Sequence, residues 1–391
     1  ETGAVKIIGG LRWYHDDPTY GNGINGAVRA WFLKGALEVA AEAQIGTVNS
    51  TRYWFADAMI AKEEGFSPGQ PFNVYGFGGG AWYHMRRTGA MPSAQQVTEA
   101  TIANQDDDSY TPGLTLSRVV YVPDANEAFG FKATVIFGDG ASGRAYNGDL
   151  TAGMSFSATG GVSTAFLDGN VYLMSERNER DYVPIRGTAH IAYDFPNDVF
   201  QANFQVFVTI GSGLVTGTGA NDLAGGAEIL ITPDTWHFFV GTPQTPIGLD
   251  FRGLFSTTSY FMVGKDLPDP LPPDSAAVLA LMNGGDFSWP SGVSTANGVA
   301  FGARAALDQH FDFYLLRMHL MAGLGLDMAF VSSSDMPCGD NPDPGIAGFY
   351  ATGQVYAYLG GSVSLHVDVW FAEGDFEIMK LAAAAVLQGG F

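Results

Sequence analysis

The sequence predicts an all-β protein, an extended antiparallel β-meander forming a large twisted sheet, sandwich or barrel-like body with minor helix. Three observations predict it. Apolar residues alternate with period two over segment after segment, the mark of strands rather than helices. Hydrophobic residues make up 46% and aromatics 13% of the 391 residues, which excludes disorder and favours strands. The 52 glycines have no collagen period, so they belong to turns and tight strand packing.

Residues 1–26 carry one strand candidate, "AVKIIGGLRWY", and then the turn-rich "HDDPTYGNGING". The run 27–46 has a composition that suits a helix, but Trp31, Leu33, Leu37, Val39, Ala41 and Ile45 share one parity. Lys34, Glu38, Glu42 and Gln44 lie on the other, and Gly35 weakens a helix, so the run reads as a strand. "TRYWFADAMIAKEE" and "PFNVYGFGGGAWYHMRR" continue the pattern, and a polar excursion follows from Ala90 to Gly113. From "LTLSRVVYVP" onward, alternating segments return in close order, separated by "GDGASG", "LDGN", "DFPND" and "GTGANDLAGG". Such turns need the positive φ that Gly and Asn supply. Residues 190–263 are therefore predicted to form consecutive antiparallel strands. In "TWHFFVG", the parity of Trp236, Phe238 and Val240 is predicted to face a core, with His237 on the more exposed or inter-sheet face.

The organisation that follows is an N-terminal β section (1–113), a central meander (114–264), a proline-rich acidic linker (265–296) and a C-terminal β section (297–391). The final run "FEIMKLAAAAVLQGGF" ends in bare apolar alternation, which predicts pairing with further chain of the same parent protein or with an identical subunit.

Charge narrows function. With 19 Lys+Arg against 40 Asp+Glu the net charge is −21, which repels phosphate backbones and argues against a nucleic-acid partner. The single cysteine, Cys338, allows neither an internal disulfide nor a cysteine-rich zinc site. Cys338 beside Asp340 and Asp343 reads as a turn. No stretch approaches the ~18 apolar residues of a membrane helix.

"GNGING" (21–26) is a literal G-x-G-x-x-G. A dinucleotide site would need a strand before it and a helix after it, and neither is predicted, so it reads as a glycine turn. Clustered carboxylates at Asp16–Asp17, beside His15, and at Asp106, Asp107 and Asp108 are candidate Ca²⁺ ligands, although their spacing lacks the alternation of an EF-hand and a solvated acidic loop accounts for them as well. Seven histidines (15, 84, 190, 237, 310, 319, 366) are scattered, with no H-E-x-x-H; His310 and His319 fall on one predicted hairpin. No nucleophile elbow, phosphate loop or paired-cysteine motif is present. No catalytic or cofactor-binding residue is assigned, and the chain is read as not an enzyme.

"GVAFGARAALD", "AGLGLDMAF", "GFYATGQVYAYLGGSVSLHV" and "GDFEIMKLAAAAVLQ" together resemble an uncharacterised family of very large exported or cell-surface Bacteroidota proteins. The resemblance covers roughly the C-terminal half and extends upstream through "AGGAEILITPDTWHFFVGTP". It implies an extracellular or envelope location and no assigned activity.

The expected function is a non-enzymatic structural segment of a large exported surface protein, a scaffold that self-associates or binds a partner. An adhesin or glycan-binding module with Ca²⁺-stiffened loops is one alternative, with a surface glycan or protein as partner. An outer-membrane β-barrel is the second; it requires strands of roughly 9–11 residues with lipid-facing apolar rows and aromatic girdles. Glu38, Glu42 and Lys34 on one face, with five prolines mid-chain, weigh toward a sheet in water.

Overall fold

The computed structural model describes residues 5–32, 36–66, 72–88, 112–113, 120–140, 144–177, 183–269, 297–332, 349–369 and 372–390. Among them the fold is all-β: 19 strands belong to one antiparallel sheet and two to a small separate one. The only helical element described is a 3-10 turn at Ala220–Asp222. Two compact units divide the chain, residues 1–202 and 203–391. Asp106–Asp108, Cys338, most of the 90–113 excursion and most of the proline-rich stretch lie outside the described residues.

In the first unit, β1 (Lys6–Asp17), β2 (Gly21–Phe32), β3 (Leu37–Val48), β4 (Thr51–Lys62) and β5 (Phe72–Tyr83) pair in order. Two short strands, β6 (Met85–Thr88) and β7 (Val120–Pro123), pair with each other and, among the described residues, with no other strand. The sheet then resumes through β8 (Glu127–Asp139), β9 (Tyr146–Ser157), β10 (Val162–Leu173) and β11 (Ile185–Asp194), with β8 beside β5. Strands of 12 residues dominate, each on the order of 40 Å long.

The second unit continues the antiparallel pattern less regularly. β12 (Val199–Ile210) enters it from the first unit, and β13 (Val215–Gly217), β14 (Leu223–Ile231), β15 (Trp236–Val240), β16 (Ile247–Phe251) and β17 (Phe255–Gly264) follow. β15 pairs with both β14 and β17, while β16 pairs with β13 and β17. Long strands then close the series: β18 (Asn297–Phe313), β19 (Leu316–Ser332), β20 (Tyr350–Val369) and β21 (Ala372–Gly390).

Three local expectations are corrected. The run 27–46 is extended, but as two strands rather than one, because the chain reverses between Phe32 and its partner Leu37. Trp31 consequently shares a face with Glu38, not with Leu37. "GNGING" is not a turn: Gly21 alone has a left-handed φ of 65°, and the motif runs on as the first half of β2. Finally, Trp236 is 46% exposed and Phe238 is 37% exposed, whereas Phe239, on the His237 side, is buried. The aromatic alternation marks the strand correctly but its core-facing parity is the opposite one.

That inversion is general. Buried positions include Asn25, Glu42, Gln44, Lys132, Asp149 and Asp168, while Leu11, Trp13, Ile45, Phe131, Leu324 and Leu387 are exposed. Because side chains alternate and register is fixed by pairing, each cross-strand row belongs wholly to one face. One outward row runs Trp13, Ile24, Ile45, Trp54, Tyr83, Phe129 and Phe156 across seven strands. The next rows are apolar too: Leu11, Gly26, Ala43, Ala56, Ala81 and Phe131, then Val28, Ala41, Ala58, Gly79, Ala133 and Ala152. Polar outward residues reappear at both margins, as Asn22, Thr47 and Arg52 beyond the aromatic row and as Lys62 at the opposite end. From the aromatic row to Leu37 the apolar band covers on the order of 25 Å along the strands.

Candidate functional site

The face opposite those apolar rows is built from polar side chains that satisfy one another. At one end of the first unit, the Tyr14 and Tyr53 hydroxyls lie 2.8 Å apart and Gln44 Nε2 donates to Tyr14 at 3.1 Å. Tyr53 donates onward to the Tyr20 carbonyl at 2.6 Å. These rings lie flat because Gly46 sits beneath them: a Cβ there would come within 2.2 Å of the Tyr53 hydroxyl. Farther along, Asn25 donates to Glu42 at 3.1 Å and Asn170 to Asp149 at 2.9 Å.

Two ion pairs anchor the middle of this face. Lys132 on β8 pairs with Asp57 on β4 across the intervening β5. Gly80 permits that reach, since a Cβ at this position would lie 2.0 Å from Asp57 Oδ1 and 2.9 Å from Lys132 Cε. Asp168 on β10 is fully buried, pairs with Arg87 and meets His190 Nδ1 at 2.5 Å. Phe166 supports the same guanidinium, with its ring centre 4.4 Å away. Charges this well buried persist only when paired, so the register that brings Asp57, Gly80 and Lys132 into one cross-strand row is a condition of folding.

Arg87 belongs to the β6–β7 hairpin, which lies over this polar face. The chain turns at His84, whose φ is 50°, and its backbone is held by Ala128 and Asp124. Tyr121 of β7 stacks on Phe55 with ring centres 5.0 Å apart and tilts against Trp82 at 5.2 Å. Met85, Tyr53, Phe55, Trp82 and Tyr121 are all essentially inaccessible and form an aromatic core on the unit's inner face. The Tyr20 hydroxyl donates to the Tyr121 carbonyl at 2.9 Å, and the Gly113 amide donates to Gln44 Oε1 at 2.7 Å. The hairpin is thus fastened at its aromatic centre, at Arg87 and where the excursion returns.

The second unit repeats the principle around one carboxylate. Asp327 on β19 is buried and accepts from Tyr260 at 2.8 Å and from Gln354 at 2.7 Å, with Arg304 at 3.3 Å. Beside it lies an apolar cluster that includes Phe239, Met262, Leu267 and Val331.

Of the candidate calcium ligands, Asp17 is occupied by its own turn, its Oδ1 accepting from the Thr19 and Tyr20 amides. Asp16 has a left-handed φ of 53° and its amide donates to Asn22. His84, His190 and His237 occupy separate places, the last stacked on Phe239 at 4.0 Å. His310 and His319, however, are direct cross-strand partners whose rings stack at 4.0 Å, with Asp308 beside them. Their equal distance from the two-residue Tyr314–Leu315 turn is the signal in the sequence that would have placed them together.

No helix among the described residues is long and apolar enough to cross a membrane. No protein-family model matches the chain, and no curated protein is similar to it.

Proposed function

We propose that the chain is an integral outer-membrane protein of the β-barrel type, whose polar face is water-lined and whose β6–β7 hairpin covers part of that face. The observation that carries the reading is the inverted burial: apolar rows outside, paired polar and charged side chains inside. In water each large exposed apolar side chain forfeits about 1.5–3 kcal/mol, and here they form continuous rows rather than scattered points. In lipid the same rows are the favourable surface, and the 12-residue strands of the first unit, in which those rows run, suffice to cross when tilted. The aromatic row from Trp13 to Phe156 sits at one edge of the apolar band, where amphipathic rings settle at a membrane interface. The reading requires that no unpaired strand edge face hydrocarbon, since each unmet backbone group costs several kcal/mol there.

The envelope location implied by the C-terminal resemblance is the compartment this reading needs. A water-exposed scaffold makes a different demand, namely that further chain or neighbouring copies cover the apolar rows. Extraction separates the two. The membrane reading expects the protein to remain with the membrane through alkaline carbonate and urea washes and to enter solution only with detergent. Release by the washes alone, as a folded species, would refute it.

A further inference from the structure

We propose that Asp308, His310 and His319 form a binding site for a divalent transition-metal ion, with zinc the best match to the donors. The three side chains lie on one face of the β18–β19 hairpin near its tip. Register places His310 directly opposite His319, and Asp308 one position further along the same face, opposite Met321. His319 Nε2 is 2.6 Å from Asp308 Oδ1, and His310 Nδ1 is 3.6 Å from the same oxygen. All three ligand atoms lie within 4.8 Å of one another.

The chemistry favours a borderline metal. Two imidazoles and one carboxylate match the donor set of open four-coordinate zinc sites, with bonds of about 2.0–2.2 Å. Such bonds separate ligand atoms by roughly 3.3 Å, so modest side-chain rotations from the present arrangement bring all three donors onto one ion. Calcium, which takes six to eight oxygens, is a poor match. The fourth position faces solvent, because Asp308 and His310 are exposed.

The scaffold is stiff where it matters. β19 stays paired with β20 on its far side as far as Leu316, and the turn between β18 and β19 has only two residues. β17 stops pairing with β18 at Ala306, and the Gln309 side chain that reaches the Gly253 and Leu254 carbonyls before β17 has the opposite parity, so the face carrying the three donors stays open to an ion. Arg317, one position nearer the turn on this face, is 3.9 Å from Asp312, which offsets its charge.

The test uses the untagged full chain, freed of metal, then titrated with Zn²⁺ by calorimetry and with Co²⁺ by visible absorption. One equivalent is expected, with a Co²⁺ spectrum typical of low coordination number. The conservative pair His310→Gln and His319→Asn should each weaken Zn²⁺ binding at least about tenfold, and His15→Ala should leave it unchanged. Near-identical circular dichroism of the variants confirms that the hairpin is intact, and since these positions lie at an exposed tip the fold should survive. Absence of stoichiometric Zn²⁺ binding, or binding undiminished in the His310→Gln/His319→Asn double variant, would overturn the site.

Discussion

Arg87, carried on the β6–β7 hairpin, forms an ion pair with Asp168, a fully buried carboxylate on β10. The pair ties a short separate sheet to a strand whose own ladder neighbours are β9 and β11. Asp168 therefore serves two strands, because it also meets His190 of β11. Removing it leaves the guanidinium buried beside Phe166 without its partner.

Asp168→Ala is expected to destabilise the protein by about 3–5 kcal/mol, the usual cost of breaking a buried pair from one side. Equilibrium unfolding in urea from detergent or lipid measures this. Arg87→Met should cost less than Asp168→Ala, because a long apolar chain still packs on Phe166. Equal losses would argue that the Arg87 pair carries the whole contribution of Asp168 and that His190 adds nothing.

Replacing residues 89–119 by a two-residue Asn-Gly turn that closes the Thr88–Val120 pair should leave the sheet intact and permit ion conductance in planar bilayers. The hairpin's fastenings at Tyr121, Arg87 and Met85 are retained in that variant. A further Arg87→Ala/Tyr121→Ala change, which frees the hairpin, should make the current noisier. Silent bilayers with both variants would contradict a water-lined inner face.

Charge placed on the two faces should have opposite consequences. Ala43→Arg falls in the middle of the apolar rows and is expected to cost about 2–4 kcal/mol, as basic residues do at mid-membrane depth. Ala27→Arg is on the opposite face, paired with Glu42, and should be tolerated. Refolding into vesicles, read by gel mobility before and after heating, reports both.

Tryptophan fluorescence offers an independent check. Trp13 and Trp236 are exposed on the apolar side and should be quenched by brominated lipid, whereas Trp82, buried under the hairpin against Tyr121, should not. Single-tryptophan variants make the comparison. Quenching of Trp82 alone would invert the assignment of faces.

Much of the fold is legible in the residues themselves. Period two through "LEVAAEAQIGTV" identifies β3, and the Gly/Asn turns separate β11 through β17, because both signals depend only on local geometry. Facing is not local. Trp236 and Phe238 look like core residues if water is the assumed solvent, and Glu42 and Gln44 look like surface residues, yet each lies on the other side. The alternation is symmetrical under exchange of solvent and interior, so only the ion pairs joining distant strands reveal which face is inside. Asp57 and Lys132 are 75 positions apart, and no spacing rule connects them. The β6–β7 hairpin was hidden for a different reason: "VYVP" alternates like any other strand, and only its partner in "MRRT" shows that it leaves the main sheet. His310 and His319 were within reach, since a two-residue turn midway between them fixes their pairing.

The central claim is that the apolar face of the sheet lies in lipid. It is tested most directly by single cysteines placed one at a time from Glu38 to Ile45 along β3, after Cys338→Ser, in native membranes. Positions 39, 41, 43 and 45 should react with a lipid-soluble maleimide and resist a membrane-impermeant one, position 38 should show the reverse preference, and the buried positions 40, 42 and 44 should react slowly with both. Ready reaction of 39, 41, 43 and 45 with the impermeant reagent would place the apolar face in water and contradict the account.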